Sequence, residues 1–264
     1  MLIGAIVGDI AGSKYERNRI KYKNFELFQP DDIFTDDTIM TLAVAKSLLE
    51  SGQNFENLGE IITKNIVFYA KKYPNCGFGH RFREWMEKGD FSPYNSFGNG
   101  SAMRVSAVPY FAKTETEVKK LAKVVSETTH NHPEGVKGAE AVAMAIWLAL
   151  HKKSKQEISD YIEKNYYNLQ FDYDDLIKNY KFDSSCQGSV PQSIFAFLIS
   201  NSFEDAIKTA ISMGGDSDTM ASIAGAIAEA FYGVPSEIEA KALTYLDADL
   251  LKIYKDVNKH FSKK

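Results

Sequence analysis

The sequence predicts an all-α fold, a compact multi-helix scaffold that brings polar, Gly-rich loops to one loop-lined cleft. Three observations lead there. Apolar residues recur at helical spacing through most of the chain. Alternating apolar and polar runs bounded by turn residues, the mark of half-buried strands, are scarce. The breaks between apolar segments are rich in Gly, Asp, Asn, Ser and Thr, and loops on a rigid scaffold are where binding and catalysis concentrate.

The apolar start at residues 1–7 is expected to be a buried helix. It lacks the basic flank of a signal peptide, and Asp9 interrupts it too early. Residues 39–49 read as an amphipathic helix, with Gly52 as its stop. Residues 56–69 repeat the pattern. Helices are expected at 118–129, 139–150, 193–199, 203–213 and 220–231, the last rich in Ala and Gly, which permit close helix contact. Residues 152–181 are the most charged and least periodic, and read as a peripheral excursion with short helices. Seven polar breaks remain, at 8–16, 35–38, 73–80, 92–104, 128–134, 184–192 and 214–219. No Pro/Ser-rich linker divides the chain, so residues 1–264 are expected to form a single domain, working as a monomer.

Composition narrows the function. The 264 residues are 44% apolar and 25% charged, as in an ordinary soluble globular protein with a sizeable core. A net charge of −4 offers no general field for nucleic acid, so non-specific nucleic-acid binding is not expected. No run is long enough to cross a membrane. The two cysteines, Cys76 and Cys186, form neither a disulfide framework nor a zinc pattern, which points to a reducing, cytoplasmic setting.

The unusual chemistry lies in two acidic clusters, Thr35-Asp36-Asp37-Thr38 and Asp216-Ser217-Asp218-Thr219, each followed by a long apolar helix. One such cluster is explained by helix capping. Two are not, because a cap needs one side-chain oxygen rather than a pair of carboxylates. Four carboxylates gathered together repel unless they take up protons or hold a cation. Carboxylate and hydroxyl oxygens suit Mg²⁺, Mn²⁺ or Ca²⁺, and the charge suits two divalent ions. The acidic spacing is not that of an EF-hand loop.

Further motifs give these clusters a context. Gly4-Ala5-Ile6-Val7-Gly8-Asp9-Ile10-Ala11-Gly12-Ser13-Lys14-Tyr15-Glu16 resembles the N-terminal signature of the ADP-ribosylglycohydrolase family (DraG/ARH-like). Phe34 to Thr38 resembles its first metal motif, and Gly98-Asn99-Gly100-Ser101-Ala102-Met103-Arg104 its central Gly-rich loop. Gly214 to Thr219, running into Ala224-Gly225-Ala226-Ile227 and Tyr232-Gly233, resembles its second metal motif. The motifs occur in family order from residue 4 to about residue 233.

The resemblance implies an all-helical fold with a binuclear Mg²⁺ (or Mn²⁺) centre. It implies hydrolysis of the glycosidic bond at ribose C1″ that joins ADP-ribose to a protein side chain or small acceptor, releasing ADP-ribose. The metal ligands carried over are Thr35, Asp36, Asp37, Asp216, Asp218 and Thr219. Glu16 matches a family glutamate near the metals, and Glu16, Asp36 and Asp37 are the candidates for activating water or moving a proton. Glu16, Ser96, Phe97, Gly98, Asn99, Gly100 and His130 are expected to bind substrate. The glycines admit backbone N–H groups to phosphate, Ser96 and Asn99 offer hydrogen bonds, and Phe97 offers a face for sugar or adenine.

Other residues read more plainly. Arg104 is expected to be a buried ion-pair partner in preference to a phosphate ligand. His132 is read as bracing its loop. The stretch from Ser185 to Gln192 borders the cleft in the family, and alone is explained as a helix start with Pro191 in the first turn. Cys186 has no histidine partner close in sequence to make it a nucleophile.

One loop departs from the family pattern. Members acting on ADP-ribosyl-arginine carry an acid where this chain aligns Asn75, and an amide cannot exchange a proton. That puts arginine specificity in doubt and leaves the acceptor unread. Two other readings stand beside the glycohydrolase: a non-catalytic ADP-ribose binder, and a metal-dependent phosphohydrolase acting on the nucleotide diphosphate.

Overall fold

The computed structural model describes residues 1–262 and shows, among them, fifteen α-helices and no β-sheet. The helices are α1 (Ile3–Ser13), α2 (Asp36–Glu50), α3 (Leu58–Lys72), α4 (His80–Lys88), α5 (Gly100–Met103), α6 (Val108–Phe111), α7 (Glu115–Glu127) and α8 (Pro133–Leu150). After them come α9 (Lys155–Asn165), α10 (Tyr173–Asn179), α11 (Cys186–Ile199), α12 (Phe203–Ser212), α13 (Ser217–Tyr232), α14 (Ser236–Leu243) and α15 (Ala248–Phe261).

The packing is tightest between α1 and α13. Gly4, Gly8 and Gly12 recur every fourth residue, so they line one face of α1. A Cβ at Gly8 would lie 2.1 Å from the Ala221 carbonyl oxygen, and one at Gly4 would lie 2.2 Å from that of Gly225. One at Gly12 would lie 2.5 Å from Asp218 Cα. The three glycines thus let two helix backbones touch, and the last of them touches an expected metal ligand. Around this pair pack α8, α11 and α12, with α2 against α1 and α3 against α2. The helices α1, α8 and α13 are buried on most sides, which is why their sequences are mostly apolar or small.

Helix starts are set by short polar side chains. Thr114 caps α7, Ser185 caps α11 and Ser202 caps α12, each accepting from a first-turn N–H. Ser154 and Glu157 form a reciprocal capping box on α9. His132 caps α8 through Nδ1, which accepts from Glu134 N at 3.1 Å, so it braces its loop as the sequence suggests.

Several boundaries differ from expectation. The break at 73–80 ends where α4 begins, and the break at 92–104 contains α5. The helix expected at 139 starts at Pro133, and the one expected at 193 starts at Cys186. Pro191 therefore lies inside α11 and not in its first turn. Residues 152–181 form two short helices, α9 and α10, joined by an irregular stretch. Among the described residues, no helix is long and apolar enough to cross a membrane.

Candidate metal centre and cleft

Three helices bring carboxylates to one place. Asp9 comes from the middle of α1, Asp37 from the first turn of α2, and Asp218 from the first turn of α13. A carboxylate oxygen from each lies within 4.8 Å of the other two, and all three residues are buried. Asp9 is fully buried and organises the start of α2. Its Oδ2 accepts from Thr35 N at 2.8 Å and Thr38 N at 3.1 Å, and its Oδ1 accepts from the Thr35 hydroxyl at 2.6 Å.

The capping explanation can now be tested residue by residue. The side-chain cap of α2 is the Thr35 hydroxyl, which accepts from Asp37 N at 3.3 Å. The carboxylates of Asp36 and Asp37 are thus not needed as caps. Asp216 stands at the N-cap position of α13 and makes no side-chain cap hydrogen bond. Its Oδ2 instead accepts from Asn99 Nδ2 at 2.8 Å, and the same amide donates to Ser189 Oγ at 3.1 Å. Asp37 Oδ2 accepts from the Thr219 hydroxyl at 3.1 Å, whereas Asp37 Oδ1 is buried without a hydrogen-bond partner.

Such a cluster is electrostatically unstable alone. Burial, then the charge of neighbouring carboxylates, pushes the carboxyls of Asp36, Asp37 and Asp218 well above the usual range. Burial also raises those of Asp9 and Asp216, opposed by hydrogen bonds from Thr35 and Thr38 to the first and from Asn99 to the second. A set of oxygen donors, one of them orphaned, suits a hard divalent cation. The residues present fit that group.

Asp36, Asp37, Asp216, Asp218 and Thr219 line one end of a cavity of about 510 Å³, together with Glu16. Burial and then Asp216 raise the carboxyl of half-buried Glu16. The other end is lined by the loop from Ser96 to Gly100 and by His130, with Phe78, Arg81, Phe97 and Phe182 around it. The loop is zipped to the chain before α11. Asn99 N donates to Ser184 O at 2.8 Å and Cys186 N donates to Phe97 O at 2.8 Å. Gly98 N donates to Ser96 Oγ at 3.2 Å. Two of the N–H groups expected to face phosphate, those of Gly98 and Asn99, are therefore used within the protein.

Comparison with known proteins decides what this arrangement belongs to. The model of the ADP-ribosylglycohydrolase family matches residues 1–263. The chain belongs to the ADP-ribosylglycohydrolase family. It is accordingly a hydrolase acting on glycosyl bonds. It is 28% identical to the ADP-ribosylhydrolase ARH3 of Gallus gallus, over 88% of this chain and 84% of that protein. It is 26% identical to the ARH3 of Homo sapiens, over 95% and 90%. It is 25% identical to the ADP-ribosyl-[dinitrogen reductase] glycohydrolase of Rhodospirillum rubrum, over 85% and 76%. Among solved structures, a chain of an ADP-ribosylglycohydrolase-related protein complex superposes with a TM-score of 0.67 at 20% identity, covering 96% of this chain and 97% of that one. The last likeness bears on the fold.

Within this ADP-ribosylglycohydrolase, most of the expected site residues meet at the cavity: Glu16, Asp36, Asp37, Asp216, Asp218 and Thr219 at one end, residues 96–100 and His130 at the other. Thr35 does not line it, and its hydroxyl is engaged by Asp9. The Asn99 side chain turns to Asp216. Asn75 is exposed and off the cavity wall, although its neighbour Cys76 accepts from Asp36 N at 2.6 Å. Arg104 is buried as expected but has no carboxylate partner. Its guanidinium donates to the Val125 carbonyl at 2.9 Å, Thr129 Oγ1 at 2.7 Å and Thr128 Oγ1 at 3.1 Å. Cys186 is buried, which pushes its thiol up to about 12 and away from the nucleophilic thiolate.

Sequence reasoning missed the role of Asp9. It counted the residue as an interruption of an apolar run and as one letter of a motif. The signal was there: a carboxylate inside a helix otherwise built to be buried needs a partner. Arg81 and Phe182 were also missed, and they carry no pattern that sequence alone could rank.

Proposed function

We propose that the chain hydrolyses the bond at ribose C1″ between ADP-ribose and a protein side chain or small acceptor, using two Mg²⁺ or Mn²⁺ ions. The observation that carries this reading is the meeting of Asp9, Asp37 and Asp218, the last two lining a cavity that the Gly-rich loop and His130 also line. The candidate ligands are Asp36, Asp37, Asp216, Asp218 and Thr219, with Thr35 and Asp9 behind them. When bound, divalent ions offset the gathered negative charge and polarise the oxygens they touch.

The chain's own residues do the rest. Thr219 fixes Asp37 through Oδ2 and leaves Oδ1 free to ligate. Asn99 turns Asp216 toward the cavity. Cleavage at C1″ passes through an oxocarbenium-like centre, and a carboxylate beside it can orient water and accept its proton. Glu16 is half-buried, lines the cavity and has a raised carboxyl, so it fits that role, with Asp36 and Asp37 as the other candidates. The Gly-rich loop, Phe97 and His130 at the far end suit the diphosphate and nucleoside. The free thiols of Cys76 and Cys186 suit a reducing compartment such as the cytoplasm, where the chain is expected to act as a single-domain monomer.

Arginine-, serine- and base-linked ADP-ribose substrates, incubated with the protein and with EDTA-treated protein, test the reading by product analysis. Intact ADP-ribose is expected, lost with EDTA and restored by Mg²⁺ or Mn²⁺. AMP as the product would replace the reading with a phosphohydrolase. Binding of ADP-ribose without turnover of any substrate would indicate a non-catalytic binder.

A further inference from the structure

We propose that Arg104, acting through Thr129, holds the side-chain proton of His130 on Nε2, so that His130 presents a hydrogen-bond donor to an anionic oxygen of the ligand. The identity of that ligand rests on the nucleotide-sugar reading above. The position of the proton rests on geometry alone.

The chain of contacts starts from a group that can only donate. A guanidinium has no acceptor atom and stays charged. Arg104 is 1% exposed, and its Nη2 donates to Thr129 Oγ1 at 2.7 Å. Thr129 is fully buried, and its hydroxyl has one other neighbour, His130 Nδ1, also at 2.7 Å. Because Thr129 Oγ1 already accepts from Arg104, its own proton needs an acceptor, and Nδ1 is the one within reach. Nδ1 is then unprotonated and the neutral ring carries its proton on Nε2. The opposite tautomer would leave the threonine proton buried without an acceptor.

The rest of the surroundings supports this arrangement. The His130 backbone is tied to Ser126 twice: His130 N donates to Ser126 O at 2.8 Å, and Ser126 Oγ donates to His130 O at 2.8 Å. Burial, followed by Arg104 and Arg81, holds the imidazole pKa well below its usual value, so the ring stays neutral. Nε2 faces the Gly-rich loop. A Cβ would stand 3.5 Å from it at Gly98 and 3.2 Å at Gly100. The two glycines keep the space beside the N–H clear, where an oxygen can enter. Arg104 and Thr129 are positioning residues in this scheme, and His130 is the group that touches the ligand.

Nitrogen NMR of the full chain, labelled at histidine, tests the proposal. His130 is expected to show a pyridine-like, hydrogen-bonded Nδ1 and a pyrrole-like, protonated Nε2. The reverse pattern overturns the proposal whether or not the protein is active. The wild-type spectrum alone decides this, so a misfolded variant does not shield the idea. In Thr129→Val the Nδ1 hydrogen-bond signature is expected to disappear and ADP-ribose to bind about tenfold more weakly by calorimetry, the scale of one hydrogen bond to a charged oxygen. Thr129→Ser is expected to restore both. Unchanged affinity in Thr129→Val would remove the positioning role. If the wild-type protein ignores ADP-ribose altogether, the function proposed above fails, while the tautomer measurement still stands or falls separately.

Discussion

At one end of the cavity, carboxylates stand on three helices, two of which, α1 and α13, touch backbone to backbone; at the other, a histidine is held by its loop and by the Thr129 hydroxyl, which in turn accepts from a buried arginine. The ends differ in charge: carboxylates crowd the first, while the second presents a neutral imidazole. They also differ in what sets their precision. The acidic end depends on backbone contact, because Gly12 of α1 touches Asp218 of α13 directly. The histidine end depends on hydrogen bonds from Arg104, the residue that follows α5, to the end of α7 and to the loop after it. A perturbation should therefore act differently at the two ends.

The largest effect is expected from the candidate ligands. Asp37→Ala or Asp218→Ala should lower glycohydrolase activity by about 10²–10³-fold, the scale of losing a main charge-stabilising group. The helical circular dichroism should remain, since neither carboxylate caps its helix. Wild-type turnover in both variants would remove the acidic end from the chemistry.

Next comes the backbone contact. Gly8→Val would force a side chain into the Ala221 carbonyl and should cost about 3 kcal/mol or more in urea unfolding. Gly59→Ala serves as the contrast, because its Cβ would meet only Val124 Cγ1 at 3.9 Å. It should be neutral or stabilise by about 0.5–1 kcal/mol. Equal behaviour of the two variants would mean that the α1–α13 contact is not where the precision lies.

Asn99 bridges the two ends, being part of the loop while holding Asp216. Asn99→Ala should weaken Mg²⁺ binding about 10–100-fold, as when a metal ligand loses its orienting partner. An unchanged dissociation constant would place Asn99 with the loop alone.

The smallest effect concerns Asp32, which lies near the end of the segment leading into α2. Its Oδ2 accepts from Gln29 N while Oδ1 is buried without a partner, and burial pushes its carboxyl up to about 6. The folded value lies above the unfolded value, so stability is full below the unfolded pKa and is lost as pH rises through about 6. Asp32→Asn should gain about 1 kcal/mol on the wild type between pH 4 and pH 7, a figure reduced for partial solvent screening. A pH-independent difference in urea midpoints would count against it.

The same contrast explains what could be read from the sequence. The acidic end is a pair of local motifs at helix starts, and its charge pattern is legible because four clustered carboxylates have few other uses. The helices around it follow from apolar spacing. The histidine end is not local: Arg104 finds its partners at 125–129, and nothing in the spacing says whether a buried arginine meets a carboxylate or a hydroxyl. Asn99 was assigned to the ligand because its loop is Gly-rich, and only the fold turns its amide to Asp216. The helix α15 carries Leu250, Ile253, Tyr254 and Val257 at clear helical spacing, so its absence from the expected helices is a gap in the reading rather than in the signal.

The interlocked glycines also dictate when the site can exist. Gly8 and Ala221 come from nearly opposite ends of the chain, so α1 leaves the ribosome long before the surface it must touch. Until α13 is made, the most apolar helix of the protein lacks its main partner and the acidic cluster cannot assemble. Long-range closure of this kind slows folding and leaves sticky surface exposed in the interim. Assembly of the acidic cluster is thus among the last events in the life of the nascent chain, and a chain truncated before α13 would lack both its central helix pair and that cluster.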